Sequence, residues 1–232
     1  MTRTGADAER ELRGLMDRGF TFPFNPQGLL ADRPLRRSAV LILFGALDRT
    51  PAATAASESS GLPDELDVLL TRRATGMRHH AGEIAFPGGG AEGVDGGDPA
   101  RTALREAAEE TGLEPSGVEV LGSLQRVHIP VSNNLVTPVV GWWRLPSEVA
   151  ADRTESVDVF RVPVAELLDP AARGTSVLRR GGMTYRGPAF RLHDRLGGHV
   201  VWGFTGILLS ALFDELGWSV PWDPDREMPI TL

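Results

Sequence analysis

The order of apolar and polar positions divides the chain into short elements of both kinds. Residues 38–47 (SAVLILFGAL) form a continuous apolar run with β-branched members, the pattern of a buried strand. Residues 66–72 (LDVLLTR) supply a return strand, and strand-like runs follow at 118–127, 136–144, 157–162, 183–192 and 199–202. Helical spacing covers 6–17, 163–168 and about 204–216. The sharpest helix signal lies over 99–111. Asp98 is a good N-cap, Pro99 sits where a helix tolerates proline, and Gly112 is a good stop. Residues 83–87 (EIAFP) read as a short strand that runs into Gly88, Gly89 and Gly90. The proline-punctuated segment from Phe20 to Arg37 reads as surface coil. Residues 49–64, rich in Ala, Ser, Thr and Pro, read as a long mobile hairpin loop. No internal repeat is present. Strands and helices alternate irregularly, which predicts one α/β domain with a mixed sheet between helices. That domain is expected over 36–232, preceded by a helix-and-coil extension over 1–35.

Length and composition narrow the function. At 232 residues the chain can bury the core of one well-packed domain. A net charge of −7 excludes a general nucleic-acid binder, which needs a basic face. It leaves an anionic substrate open, because bound cations reverse the local sign. With no cysteine, disulfides, zinc–thiolate sites and cysteine nucleophiles are ruled out. The polar opening MTRTGADAERELRGLM lacks the apolar core of a signal peptide, so a cytoplasmic location is expected. The longest apolar stretch, Val200 to Phe213, is broken by Gly203, Thr205, Gly206 and Ser210. A bilayer span needs about 20 apolar residues, so a buried helix is expected there and no membrane partner.

Candidate chemistry is concentrated in residues 105–113 (REAAEETGL). Positions three and four apart share a helix face, so Glu106 lies beside both Glu109 and Glu110. Carboxylates held that close repel unless a cation lies between them, and hard oxygen ligands suit Mg²⁺ or Mn²⁺. Arg105, four residues before Glu109, is placed to hold that carboxylate. A solvated helix face with ordinary ion pairs would carry the same residues, and only the context separates the two. The cluster follows a strand and a glycine-rich turn and ends at Thr111-Gly112-Leu113.

Residues Arg105, Glu106, Ala107, Glu109, Glu110, Gly112 and Leu113 match R-E-hydrophobic-x-E-E-x-G-hydrophobic, and the segment resembles the second half of the Nudix box. The first half departs from the usual pattern. A glutamate is usual eight residues before the arginine, where this chain has Gly97; Asp98 and Asp95 are the nearest carboxylates. Upstream, LLTRRATGMRHHAGEIAFPGG (69–89) resembles the motif of coenzyme A pyrophosphatases. The matched positions are Leu69, Leu70, Thr71, Arg73, Ala74, Arg78, Gly82, Phe86, Pro87, Gly88 and Gly89. Arg73 and Arg78 are suited to bidentate phosphate contacts. The side-chain-free Gly88, Gly89 and Gly90 let backbone approach a phosphate. Surface ion pairs and a plain tight turn are the alternatives. His79 and His80 are adjacent and make a poor metal pair; a pocket rim suits them better.

The resemblance implies the Nudix α/β/α sandwich and Mg²⁺- or Mn²⁺-dependent hydrolysis of the diphosphate of coenzyme A or a CoA derivative. It implies Glu106, Glu110 and Glu109 as metal ligands. Glu109, Arg105 and Glu155 are implied in catalysis, with Asp158 a weaker match than Glu155. Arg73, Arg78 and Gly88 to Gly90 would bind substrate. The partner implied is a small molecule, and a homodimer is left open beside a monomer. Two other readings remain: a Nudix pyrophosphatase for ADP-ribose or NADH, and a catalytically silent Nudix ligand sensor.

Overall fold

A computed structural model of the chain describes residues 3–20, 35–46, 58, 60–74, 82–130, 132–152, 154 and 156–231. Most of the 49–64 loop and of the 20–37 coil predicted from sequence lies outside these residues.

The central strand β1 (Arg36–Ala46) explains the layering. Its side chains alternate between two cores, as a strand's must. Ala39, Leu41 and Leu43 pack on one face, Ile42 and Phe44 on the other. Burial on both sides accounts for the unbroken apolar run. β1 pairs antiparallel with β2 (Leu66–Arg73) and parallel with β7 (Asn134–Trp143), from Arg36 opposite Asn134 to Phe44 opposite Trp142. The short β3 (Ile84–Ala85) pairs antiparallel with the end of β2, and β4 (Gly88–Gly90) pairs with the start of β1. β5 (Val118–Ser123) and β6 (Val127–Ile129) pair with β7; β8 (Ser156–Pro163) pairs with β2. The sheet is therefore mixed, as the sequence pattern predicts.

Helices cover both faces. Helix α2 (Pro99–Thr111) packs Ala103 and Ala107 onto Ala39, Leu41, Leu43 and Val139. Its limits match the sequence prediction because each is set by local chemistry. The Asp98 side chain accepts from the Ala100 N–H at 2.9 Å, and Gly112 takes φ 68° to close the last turn. On the other face lie α1 (Gly5–Arg18), the short α3 (Val164–Leu168) and α4 (Gly203–Glu215). Ala8, Leu12 and Leu15, spaced for one helix face, bring α1 into the larger core. α4 buries Leu208, Leu209, Leu212 and Phe213 in the same core, and no described helix is long and apolar enough to cross a membrane.

One layer departs from the sequence reading. A second sheet, ordered β11-β10-β9-β12, is formed by β9 (Arg173–Arg180), β10 (Met183–Arg191), β11 (Val200–Val201) and β12 (Glu227–Ile230). The pattern predicts β10 and β11. It misses β9, whose RGTSVLRR is too polar to signal a strand, and β12, which pairs parallel with β9 across about fifty residues of sequence.

Candidate active site

The site forms where β4 meets α2. Gly88, Gly89 and Gly90 lie opposite Val40, Ala39 and Ser38, and side chains of helix α2 reach all three: Glu110 at Gly88, Glu106 at Gly89 and Arg105 at Gly90. A Cβ on Gly89 would fall 2.3 Å from Glu106 Oε2, so the Glu106 carboxylate rests on bare backbone. The Gly88 N–H donates to Glu110 Oε2 at 3.3 Å, and Glu110 is buried at 3% exposure. A Cβ on Gly88 would fall 2.3 Å from the Ala39 carbonyl oxygen, which excludes any side chain there. The glycines are therefore required by close approach.

Arg105 ties the loop to the helix. Its Nε donates to Asp95 Oδ1 at 3.0 Å and its Nη2 to Asp95 Oδ2 at 3.1 Å. Nη2 also donates to the Gly90 carbonyl at 2.9 Å. Nη1 stands 3.1 Å from both Glu106 Oε1 and Glu109 Oε2. One planar guanidinium thus organises three carboxylates and the glycine loop, a task for which a lysine lacks the donors. Asp95 also accepts from the Glu92 N–H at 2.8 Å and the Thr102 hydroxyl at 2.9 Å. The Arg105 contact, foremost among these, holds the Asp95 carboxyl well below the usual carboxylate range.

The structure thus separates the two carboxylates that the sequence left as alternatives. Asp95 lies inside, on Arg105; Asp98 faces solvent as the helix cap. The 3-10 turn Gly93–Asp95 and the left-handed Gly96 fold Asp95 back under α2. The Asp-Gly-Gly turn and the spacing to Thr102 and Arg105 are the signals that point to it.

The other expected residues are placed as follows. Glu109 is the most open box glutamate, its side chain 59% exposed. Arg73 ends β2, half-buried, and its Nε has no hydrogen-bond partner among the described residues. Asp158 pairs with Arg72 at 2.7 Å across β2 and β8. Arg78, His79, His80 and Glu155 lie outside the described residues.

Among the described residues, no three His, Asp or Glu side chains are gathered as a metal cluster. The cause is visible: Arg105 Nη1 stands between Glu106 and Glu109, while Glu110 turns to Gly88. The donor set still fits a hard divalent cation. Glu106 and Glu109 flank one guanidinium nitrogen, Glu110 lies a turn away against Gly88, and the Glu106 carboxylate rests on the bare backbone of Gly89, so two of the helix's three carboxylates reach the glycine loop directly.

The mixed sheet, glycine loop and glutamate helix define a NUDIX domain, the family description that matches residues 56–180. The chain belongs to the Nudix family and is a Nudix hydrolase, an enzyme of the diphosphatase class. The uncharacterized Nudix hydrolase NudL of Photorhabdus laumondii is 34% identical over 149 residues, covering 64% of this chain and 76% of that protein. The one from Salmonella paratyphi B is 37% identical over 153 residues, covering 65% and 75%. Among solved structures, RenU, a Nudix hydrolase from M. Smegmatis, is 23% identical, with 58% of this chain and 74% of that chain covered and a TM-score of 0.43.

Proposed function

We propose that this enzyme hydrolyses the diphosphate bond of coenzyme A or a CoA derivative. The observation that supports this most is the continuity of the 69–89 segment with the site. Its matched positions Leu69, Leu70, Thr71 and Arg73 lie on β2, and its last two, Gly88 and Gly89 on β4, touch the box glutamates Glu110 and Glu106.

In this reading Glu106, Glu110 and Glu109 hold Mg²⁺ or Mn²⁺. The ion would neutralise charge on the diphosphate and acidify water. Glu109, exposed and steadied by Arg105, orients or deprotonates the attacking water. Gly88 to Gly90 let the diphosphate approach backbone. Arg73, with an Nε that no described residue engages, and Arg78 contribute cations for phosphate oxygens. The water oxygen bonds to one phosphorus, that phosphorus's bond to the bridging oxygen breaks, and the departing phosphate keeps the bridge. From CoA the products are 3′,5′-ADP and 4′-phosphopantetheine.

The test is kcat/KM with Mg²⁺ for CoA, dephospho-CoA, ADP-ribose and NADH. CoA is expected to be best by roughly tenfold or more, the worth of one charge-assisted contact to its additional phosphate. ADP-ribose or NADH outperforming CoA would replace this reading with that of a general nucleoside-diphosphate enzyme.

A further inference from the structure

A separate cavity of about 90 Å³ opens near the N-terminus of α2. β4, which carries Gly89 beneath Glu106, and β7, which carries Thr137, flank β1 on opposite sides. The cavity spans the start of β1, from Ala91 just past β4 to Thr137 of β7, with Arg37, Arg126, Pro99 and Thr102 also lining it and none of the box glutamates among its walls. Strand alternation explains the lining. Val139 packs beneath α2, so Thr137, two residues earlier and paired with Ala39, faces the same way.

Three features make this cavity a site for an anion. First, Arg37 and Arg126 are exposed, and among the described residues neither guanidinium has a hydrogen bond or ion pair. Second, the nearby acids are already engaged: Asp95 by Arg105, and Asp98 by the Ala100 N–H, with Arg101 at 3.9 Å. In a chain of net charge −7 this leaves two cations converging on one concavity. Third, Thr137 is 8% exposed, lines the cavity, and its hydroxyl has no partner among the described residues. That hydroxyl is open to the cavity, and it can donate to or accept from a ligand oxygen. The 13-residue helix α2 adds the positive end of its dipole through Pro99 and Thr102. The volume holds several waters, and therefore a tetrahedral oxyanion.

We propose that the Arg37–Arg126–Thr137 cavity binds a phosphoryl oxyanion, at a position distinct from the glutamate face of α2. That group comes either from a phosphomonoester on the substrate or from a free phosphate compound acting beside the site. Both sources present the same chemistry to two guanidiniums and one hydroxyl.

The binding arm of the test titrates metal-free enzyme with inorganic phosphate by calorimetry. Saturable binding is expected in the wild type. It should weaken at least roughly tenfold in the Arg37→Gln/Arg126→Gln double variant, as loss of charge-assisted contacts requires. A smaller loss is expected in Thr137→Val. Melting temperatures without phosphate verify that the folds are equivalent. No phosphate binding in the wild type, or equal affinity in wild type and double variant, would overturn the proposal. This arm needs no turnover, so it stays readable if the enzyme does not cleave CoA. A second arm identifies the source by kcat/KM for CoA against dephospho-CoA. A preference that collapses together with phosphate affinity assigns the pocket to the substrate's own phosphomonoester. A preference retained when phosphate affinity is lost assigns it to a free anion.

Discussion

Arg105 grips Asp95 with two nitrogens, at 3.0 and 3.1 Å, across ten residues of sequence. This contact closes the glycine loop onto the glutamate helix and leaves the third nitrogen for Glu106 and Glu109. Asp95→Asn keeps the volume but replaces one acceptor oxygen by a donor facing a guanidinium. Turnover is expected to fall roughly 10- to 100-fold, the usual cost of losing a partner behind the ligand shell. Circular dichroism should retain the helix signal. A kcat within twofold of wild type would show that the loop holds its place without this pair.

Glu106 and Glu110 occupy one helix face above Gly89 and Gly88. Glu106→Gln and Glu110→Gln are each expected to lower kcat/KM by roughly two orders of magnitude or more at limiting Mg²⁺, beyond the cost of an outer partner. The Glu110 variant keeps an oxygen for the Gly88 N–H, so its melting temperature should stay near wild type. Near-normal turnover in both variants would remove the metal assignment.

The catalytic helix was legible in the sequence because its limits are local: Asp98, Pro99 and Gly112 each act within a turn of themselves. The middle of β1 was legible because burial on both faces leaves no polar position from Ala39 to Phe44. The remainder depends on distant contacts. β9 is held by a parallel partner near the C-terminus and by Arg173, which is buried between the rings of Phe190 and Trp222 and donates to Ser210 and Ser219. An arginine at that position reads as surface. Asp95 and Asp98 are three residues apart and carry the same side chain; only the 3-10 turn decides which one meets Arg105. Arg37 and Arg126 share a cavity through the sheet, and no spacing in the chain connects them.

Adjacent glycines of the loop should respond differently to the same methyl group. Gly88→Ala directs it at backbone, 2.3 Å from the Ala39 oxygen and 2.6 Å from the Val40 Cα. These atoms belong to the central strand and cannot yield, so about 1–3 kcal/mol of stability should be lost. Gly89→Ala directs it at the Glu106 carboxylate, the far end of a flexible side chain. That side chain can swing aside, so stability should change by less than about 1 kcal/mol while turnover falls. The comparison is urea unfolding beside kcat for both variants. Equal losses of stability would contradict the geometry.

Asp67 lies on β2 at 1% exposure, and neither carboxyl oxygen has a hydrogen-bond partner among the described residues. Arg161 stands 3.9 Å away, too far to compensate fully, while Glu166 adds a like charge and is itself paired with Arg195 at 2.7 Å. Burial, above all, pushes the Asp67 carboxyl up to about 7. An unfolded chain ionises it near 3.9. Between those values the folded protein holds a proton that the unfolded chain has released, so this group's contribution is fully present below about pH 4. It is lost as pH rises through 7. The span is about three units at 1.36 kcal/mol each, so the loss is on the order of 3–4 kcal/mol. Asn is shaped like the protonated acid and does not titrate. Asp67→Asn should therefore match wild type below about pH 4 and exceed it at pH 8, by as much as about 3–4 kcal/mol in urea unfolding. The gap between the two proteins should open between about pH 4 and 7 and stay constant above. A variant that is no more stable than wild type at pH 8 would mean that Asp67 is ionised at little cost, with Arg161 and Arg195 compensating the burial.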